Sequence, residues 1–191
     1  YLEMVISSIE SSDYQQAIKN LQKARECYSK NREACGFLYS DYMQLAGLIY
    51  MEFNQYEKAE NAFKEVLKQN PERKNIVLFL GESLFRQSRY KEAATYLKEG
   101  FEEGKSKPSY FVLRSESEKR SGLINDAADN LKTGIELHEN NPLILRQAVI
   151  LFAEKGFPES AAEILRNNRK YMTESESLYL YIADIFIKER S

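Results

Sequence analysis

One spacing limits what this chain can become. Alanine recurs at Ala59, Ala93, Ala127 and Ala161, 34 residues apart each time, and a bulky apolar residue follows each by four: Phe63, Leu97, Leu131 and Leu165. Five positions before each alanine stands a turn former, Asn54, Ser88, Gly122 or Gly156, which tolerates the left-handed backbone that ends a helix. The stretches between, such as Tyr56–Lys68 and Tyr90–Glu99, have helical length and helix-forming composition. The unit is therefore helix, tight turn, helix and short connection, four times over. Upstream, Asp13, Tyr14, Ala17, Leu21 and Ala24 repeat the second-helix pattern; Ala17 lies 42 residues before Ala59, eight more than the period, so a segment is inserted there.

Composition narrows the function classes. Of 191 residues 43% are hydrophobic, enough for a substantial core. Lys and Arg number 27 against 29 Asp and Glu, a formal charge of −2, and the pI is near 5.7. That balance argues against a general nucleic-acid binder, which needs a basic face. Eight Gly, four Pro and 12% aromatic residues argue against a collagenous or disordered chain. No uncharged apolar run approaches the roughly 18 residues of a membrane span. The chain starts at Tyr1 rather than Met and reads as a fragment, so any leader would have gone with the cut. Cys27, Cys35 and the lone His138 do not make a zinc set, and no metal or cofactor is expected. The two cysteines read as helix-buried thiols, with a disulfide as the alternative in an oxidising compartment. Bacterial periplasm and cytoplasm both fit.

A 34-residue helix–turn–helix period resembles the tetratricopeptide repeat along essentially the whole chain. In the copy Ser40–Arg73 the pattern falls on Gly47, Tyr50, Tyr56, Ala59, Phe63 and Pro71. The copy Lys74–Lys107 offers Leu80, Gly81, Leu84, Tyr90, Ala93 and Leu97, and the copy from Pro142 offers Ala148, Phe152, Ala161 and Leu165. The resemblance implies an all-α, right-handed α-solenoid of stacked antiparallel helix pairs. Residues 1–191 would form one array, with units at about 1–31, 40–73, 74–107, 108–141 and 142–175, an insert at about 32–39 and a terminal helix at 176–190. Small residues at Gly47, Gly81, Ala59 and Ala93 let paired helices approach, while Tyr50, Leu84, Phe63 and Leu97 fill the space around each contact. On the terminal helix Tyr179, Ile182, Ala183 and Phe186 should face the preceding unit, and Glu176, Asp184 and Lys188 should face water. Leu180 and Ile187 are left over.

Three places depart from the pattern. Arg114 and Glu118 occupy positions that are apolar in other copies, where Leu80 and Leu84 or Ala148 and Phe152 stand. The first expectation is a loosened helix with both heads reaching water; the other is a buried ion pair that makes a hinge. The stretch Lys30–Tyr39 contains no proline and is expected to extend the next helix backward by about two turns, with a longer loop as the alternative. His138 is expected to cap the C-terminus of a helix.

No catalytic constellation is present in the sequence: no phosphate-binding loop, no nucleophile elbow and one histidine. The resemblance implies instead a non-enzymatic protein–protein interaction scaffold, a module of a larger assembly factor, whose first helices line a concave groove for a peptide or helix of a partner. By repeat position the groove presents Gln44, Leu48, Met51, Leu78, Glu82, Phe85, Arg86, Val112, Glu116, Lys119, Arg146 and Ile150. Phe85 has a second reading, packing between neighbouring first helices. The subclass that clamps the carboxylate terminus of heat-shock chaperones uses Lys and Asn on first helices. Here Gln44 and Leu48, Asn75 and Phe79, and Ser109 and Leu113 stand there, so a chaperone tail is not expected. The alternative function is a nucleic-acid-binding helical repeat of pentatricopeptide type, opposed by the pI and by Glu82 and Glu116 in the groove.

Overall fold

The computed structural model describes residues 1–30, 38–172 and 175–189 and divides into two compact units, Tyr1–Gly100 and Phe101–Ser191. The first unit holds α1 (Leu2–Glu10), α2 (Tyr14–Lys30), α3 (Tyr39–Glu52), α4 (Tyr56–Gln69), α5 (Ile76–Arg86) and α6 (Tyr90–Glu99). The second holds a short α7 (Phe101–Gly104), then α8 (Pro108–Arg120), α9 (Ile124–Leu137), α10 (Pro142–Glu154), α11 (Pro158–Asn167), a 3₁₀ turn at Arg169–Tyr171 and α12 (Ser175–Glu189). No strand occurs among the described residues. Within each unit the helices pair as antiparallel hairpins, and each second helix also packs on the first helix that follows it.

The hairpin turns show why the period is legible. Ser12, Asn54, Ser88, Gly122 and Gly156 all have positive φ, between 56° and 84°. In each turn the next amide reaches back to the carbonyl five residues earlier. Asp13 N–H donates to Ser8 O at 2.8 Å, Gln55 to Tyr50 at 2.8 Å, Arg89 to Leu84 at 3.0 Å, Leu123 to Glu118 at 2.8 Å and Phe157 to Phe152 at 2.9 Å. This bond satisfies a carbonyl that the helix end leaves without a partner, and it fixes the reversal angle.

Five residues beyond each turn, Ala17, Ala59, Ala93, Ala127 and Ala161 are fully buried. In the two central pairs the first helix is also small at the contact. A Cβ added at Gly47 would lie 2.5 Å from the Phe63 ring, and one at Gly81 would lie 2.7 Å from Leu97. The helix pair therefore closes on a small–large contact that no larger residue fits without displacement. Polar ties link consecutive hairpins. Glu60 of α4, 6% exposed, accepts from Lys64, from Gln87 at 2.9 Å and from Arg89 Nη1 at 2.6 Å. Arg73 joins Asp41 at 2.6 Å and Gln44 at 3.3 Å.

Several expectations are corrected. Arg114 and Glu118 do not both reach for water but form the ion pair of the second reading: Arg114 Nε donates to Glu118 Oε1 at 2.8 Å, Arg114 is half-buried and Glu118 is 1% exposed. The helix holds its ordinary register, so both side chains are carried inward where leucines stand in the preceding pair. The α3 helix does not extend backward, because Leu38 is extended (φ −82°, ψ 145°) and breaks it; residues 31–37 lie outside the described residues. Cys27, half-buried late in α2, is part of a disulfide, the alternative reading, rather than an unbonded thiol buried in a helix. Cys35 lies outside the described residues.

On α12 the inward stripe is Leu178 and Ile182, with Tyr179 and Ile185 partly buried against the same cluster. Ala183 is exposed, because no second helix covers that face among the described residues. Glu176 and Asp184 are exposed, as are Leu180 at 73% and Ile187 at 69%; the side chains of Phe186 and Lys188 lie outside the description. His138 is the C-cap of α9, and its Nε2 sits 2.7 Å from the Lys105 carbonyl, tying the helix end to the turn after α7.

Candidate functional site

In the first unit the three first helices α1, α3 and α5 lie side by side, and each ends in the same positive-φ turn. Their common face encloses a pocket of about 340 Å³. Ile9, Leu48, Met51 and Phe79 supply its apolar wall, and all four are half-buried, resting one side on the core. The rest of the lining is Glu52, Asn54, Tyr56, Glu82 and Arg86. The Tyr56 hydroxyl donates to Asn54 Oδ1, which ties the turn to the start of α4. Arg86 Nη2 lies 3.4 Å from Glu82 Oε1, a long and exposed contact. Glu52 is exposed and makes no ion pair among the described residues. A pocket of this size falls at the small end of ligand sites, suited to one or two side chains rather than to a cofactor.

The second unit treats its first-helix face differently. Glu116 of α8 accepts from Arg120 Nε at 2.6 Å, from Lys119 Nζ at 3.1 Å and from Gln147 of α10 at 3.0 Å. Lys119 also lies 3.3 Å from Glu154 of α10, which accepts from the Tyr181 hydroxyl of α12 at 2.9 Å. This ladder runs across α8, α10 and α12. Burial alone would raise the Glu116 pKa, but the donors from Arg120, Lys119 and Gln147 outweigh it and lower it. Partial burial and the neighbouring Glu154 carboxylate push the Tyr181 hydroxyl up to about 12. The charged groups here are engaged within the chain.

Of the positions expected to line a groove, the pocket brings together Leu48, Met51, Glu82 and Arg86. Gln44 is half-buried and occupied by Arg73. Leu78 is directed at Gly100, where an added Cβ would meet it at 2.7 Å. Phe85 packs against the core cluster and meets the Tyr90 ring edge-on at 5.4 Å. In the second unit Glu116 and Lys119 belong to the ladder, Val112 is half-buried, Ile150 leans on the core, and Arg146 is exposed. Ile9, Glu52, Asn54, Tyr56 and Phe79 join the pocket without having been expected there. Ile9 had a readable signal: it stands 42 residues before Met51, the offset that separates Ala17 from Ala59. The described residues contain no group of side chains able to hold a metal ion, and none of their helices is long and apolar enough to cross a membrane.

Comparison with known proteins agrees with this geometry. A family model described as tetratricopeptide repeat matches residues 45–105, which span α4, α5 and α6 and most of α3. Among solved structures, YrrB, titled a tetratricopeptide-repeat protein with an unusual peptide-binding site, is similar with a TM-score of 0.76. It is 17% identical, over 94% of this chain and 88% of that one. MamA from Desulfovibrio magneticus RS-1 is similar with a TM-score of 0.76 and 13% identity, over 90% of this chain and 92% of that one. A search of curated proteins finds no match. With the family model on the central hairpins and the same turn and buried-alanine geometry in the hairpins on either side, the chain has the tetratricopeptide-repeat fold.

Proposed function

We propose that this chain is a non-enzymatic interaction scaffold, a module of a larger assembly factor, whose first-unit pocket takes an apolar side chain from a peptide or helix of a partner protein. The observation that carries this is the set of half-buried apolar side chains on three consecutive first helices, Ile9, Leu48 with Met51, and Phe79, left facing a pocket. Such side chains gain by excluding water, at about 25 cal/mol per Å² of apolar surface covered. The similar fold of YrrB, whose own title names a peptide-binding site, supports the reading. The ladder of the second unit supports placing the anchor in the first, because Glu116 and Lys119 would have to give up internal partners to bind.

The test is panning of a random twelve-residue peptide library against the whole chain, with Leu48→Glu as the comparison. The proposal expects peptides enriched by the parent chain and not by the variant, whose circular dichroism is unchanged. Equal enrichment by both would overturn it.

A further inference from the structure

We infer that the first-unit pocket selects a segment in which a bulky apolar residue is flanked by lysine or arginine. This rests on the pocket's being the binding site and adds the chemistry of its occupant. Two carboxylates line the pocket, Glu52 and Glu82, and a third, Glu10, follows the lining residue Ile9 at the end of α1. One cation, Arg86, stands among the lining residues, and it already leans on Glu82 at 3.4 Å. Glu10 and Glu52 make no ion pair among the described residues, and both are exposed.

Their placement is systematic. Glu52 is one residue beyond Met51 and Glu10 one beyond Ile9, so on two adjacent first helices an apolar wall residue is followed by an acid. On the third helix the corresponding residue is Arg86, 34 beyond Glu52. The rim is therefore acidic on the α1 and α3 side, and it becomes mixed at α5. An apolar anchor in the pocket brings its neighbours against Glu10 and Glu52. An acidic neighbour would meet two uncompensated carboxylates, whereas a basic one gains two partners with no internal pair to break. The second unit's ladder has no such vacancy to offer, since Glu116 already accepts from three side chains.

The experiment uses the whole chain and three fluorescent twelve-residue peptides that share a central Leu-Phe pair and differ only in flanks of Lys, Ala or Glu. Fluorescence polarisation should rank them Lys, then Ala, then Glu. In the parent chain the Lys peptide should weaken as salt rises. Glu52→Lys should weaken the Lys peptide by about three- to tenfold and improve the Glu peptide, as expected for reversing an exposed pair. Equal affinity of all three peptides for the parent chain, lost in Leu48→Glu, would overturn the charge preference and leave the pocket reading standing. Affinities unchanged by Leu48→Glu would overturn both.

Discussion

Arg114 Nε donates to Glu118 Oε1 at 2.8 Å, four residues apart on α8, at the positions that Leu80 and Leu84 hold on α5. Tyr110 adds its hydroxyl as acceptor for Arg114 Nη1 at 3.2 Å. Burial alone would lower the Arg114 pKa, but the Glu118 carboxylate and the Tyr110 hydroxyl outweigh it and raise it. A buried pair like this is easily broken and easily replaced. Glu118→Leu alone should cost about 3–5 kcal/mol by stranding the guanidinium, while Arg114→Leu with Glu118→Leu should be neutral or stabilising. Urea titrations of the three chains check it; a double variant as unstable as the single one would contradict it.

The same helix is proposed as a hinge. Ser115 and Ser117 bond back to the carbonyls of Val112 and Leu113 at 3.0 and 2.8 Å, a habit that loosens helices. Backbone amides of α8 should exchange faster than those of α5 and α10. Equal protection across the three helices ends the hinge.

Helix closure depends on small residues. Ala59→Leu or Ala93→Leu should cost roughly 1–3 kcal/mol by overpacking, and Gly47→Ala should act in the same direction because it meets the Phe63 ring. Melting temperatures equal to the parent's would show that the helices can slide apart freely.

Acid should loosen the first unit through Glu60. Burial alone would raise its pKa, but hydrogen bonds from Lys64, Gln87 and Arg89 outweigh it and lower it. A lowered folded-state value means that the contribution is fully present above the unfolded carboxylate pKa, about 4.3, and is lost as pH falls through the folded value. Glu60→Gln should therefore destabilise at neutral pH by roughly 1–3 kcal/mol and flatten the acid limb of the stability curve. A parallel acid limb in the variant would contradict this.

The apolar side of α11 is covered by Leu178 and Ile182 of α12, which share a cluster with Ala161 and Leu165. Removing residues 176–191 should expose that cluster and promote aggregation, seen as rising light scattering. A monodisperse shortened chain would contradict the packing role.

The hairpins were readable because their constraints are narrow. Asn54, Ser88, Gly122 and Gly156 sit where φ is positive, and Gly47 and Ala59 where a helix pair leaves room for little else, so sequence and geometry restrict each other. The burial of Glu118 is the second of the two readings that the sequence allows, since a charged residue type ordinarily signals water and only the spacing to Arg114 points to a pair. The Ala183 side is exposed against expectation because its repeat position presumes a covering second helix. At the pocket, Tyr56 reads as repeat core and Asn54 as a turn, and both also border the cavity. Ile9 is harder to read because the upstream copy shows the repeat's residues clearly only on its second helix, at Ala17, Leu21 and Ala24.

The central claim is that the partner's anchor sits in the first-unit pocket. The direct measurement is the affinity of the tightest selected peptide for the parent chain, Met51→Glu and Lys119→Glu, each with its melting temperature. The account predicts that Met51→Glu loses at least about tenfold, or about 1.4 kcal/mol, with the fold intact, while Lys119→Glu binds as the parent does. Loss in Lys119→Glu with full affinity in Met51→Glu would contradict it.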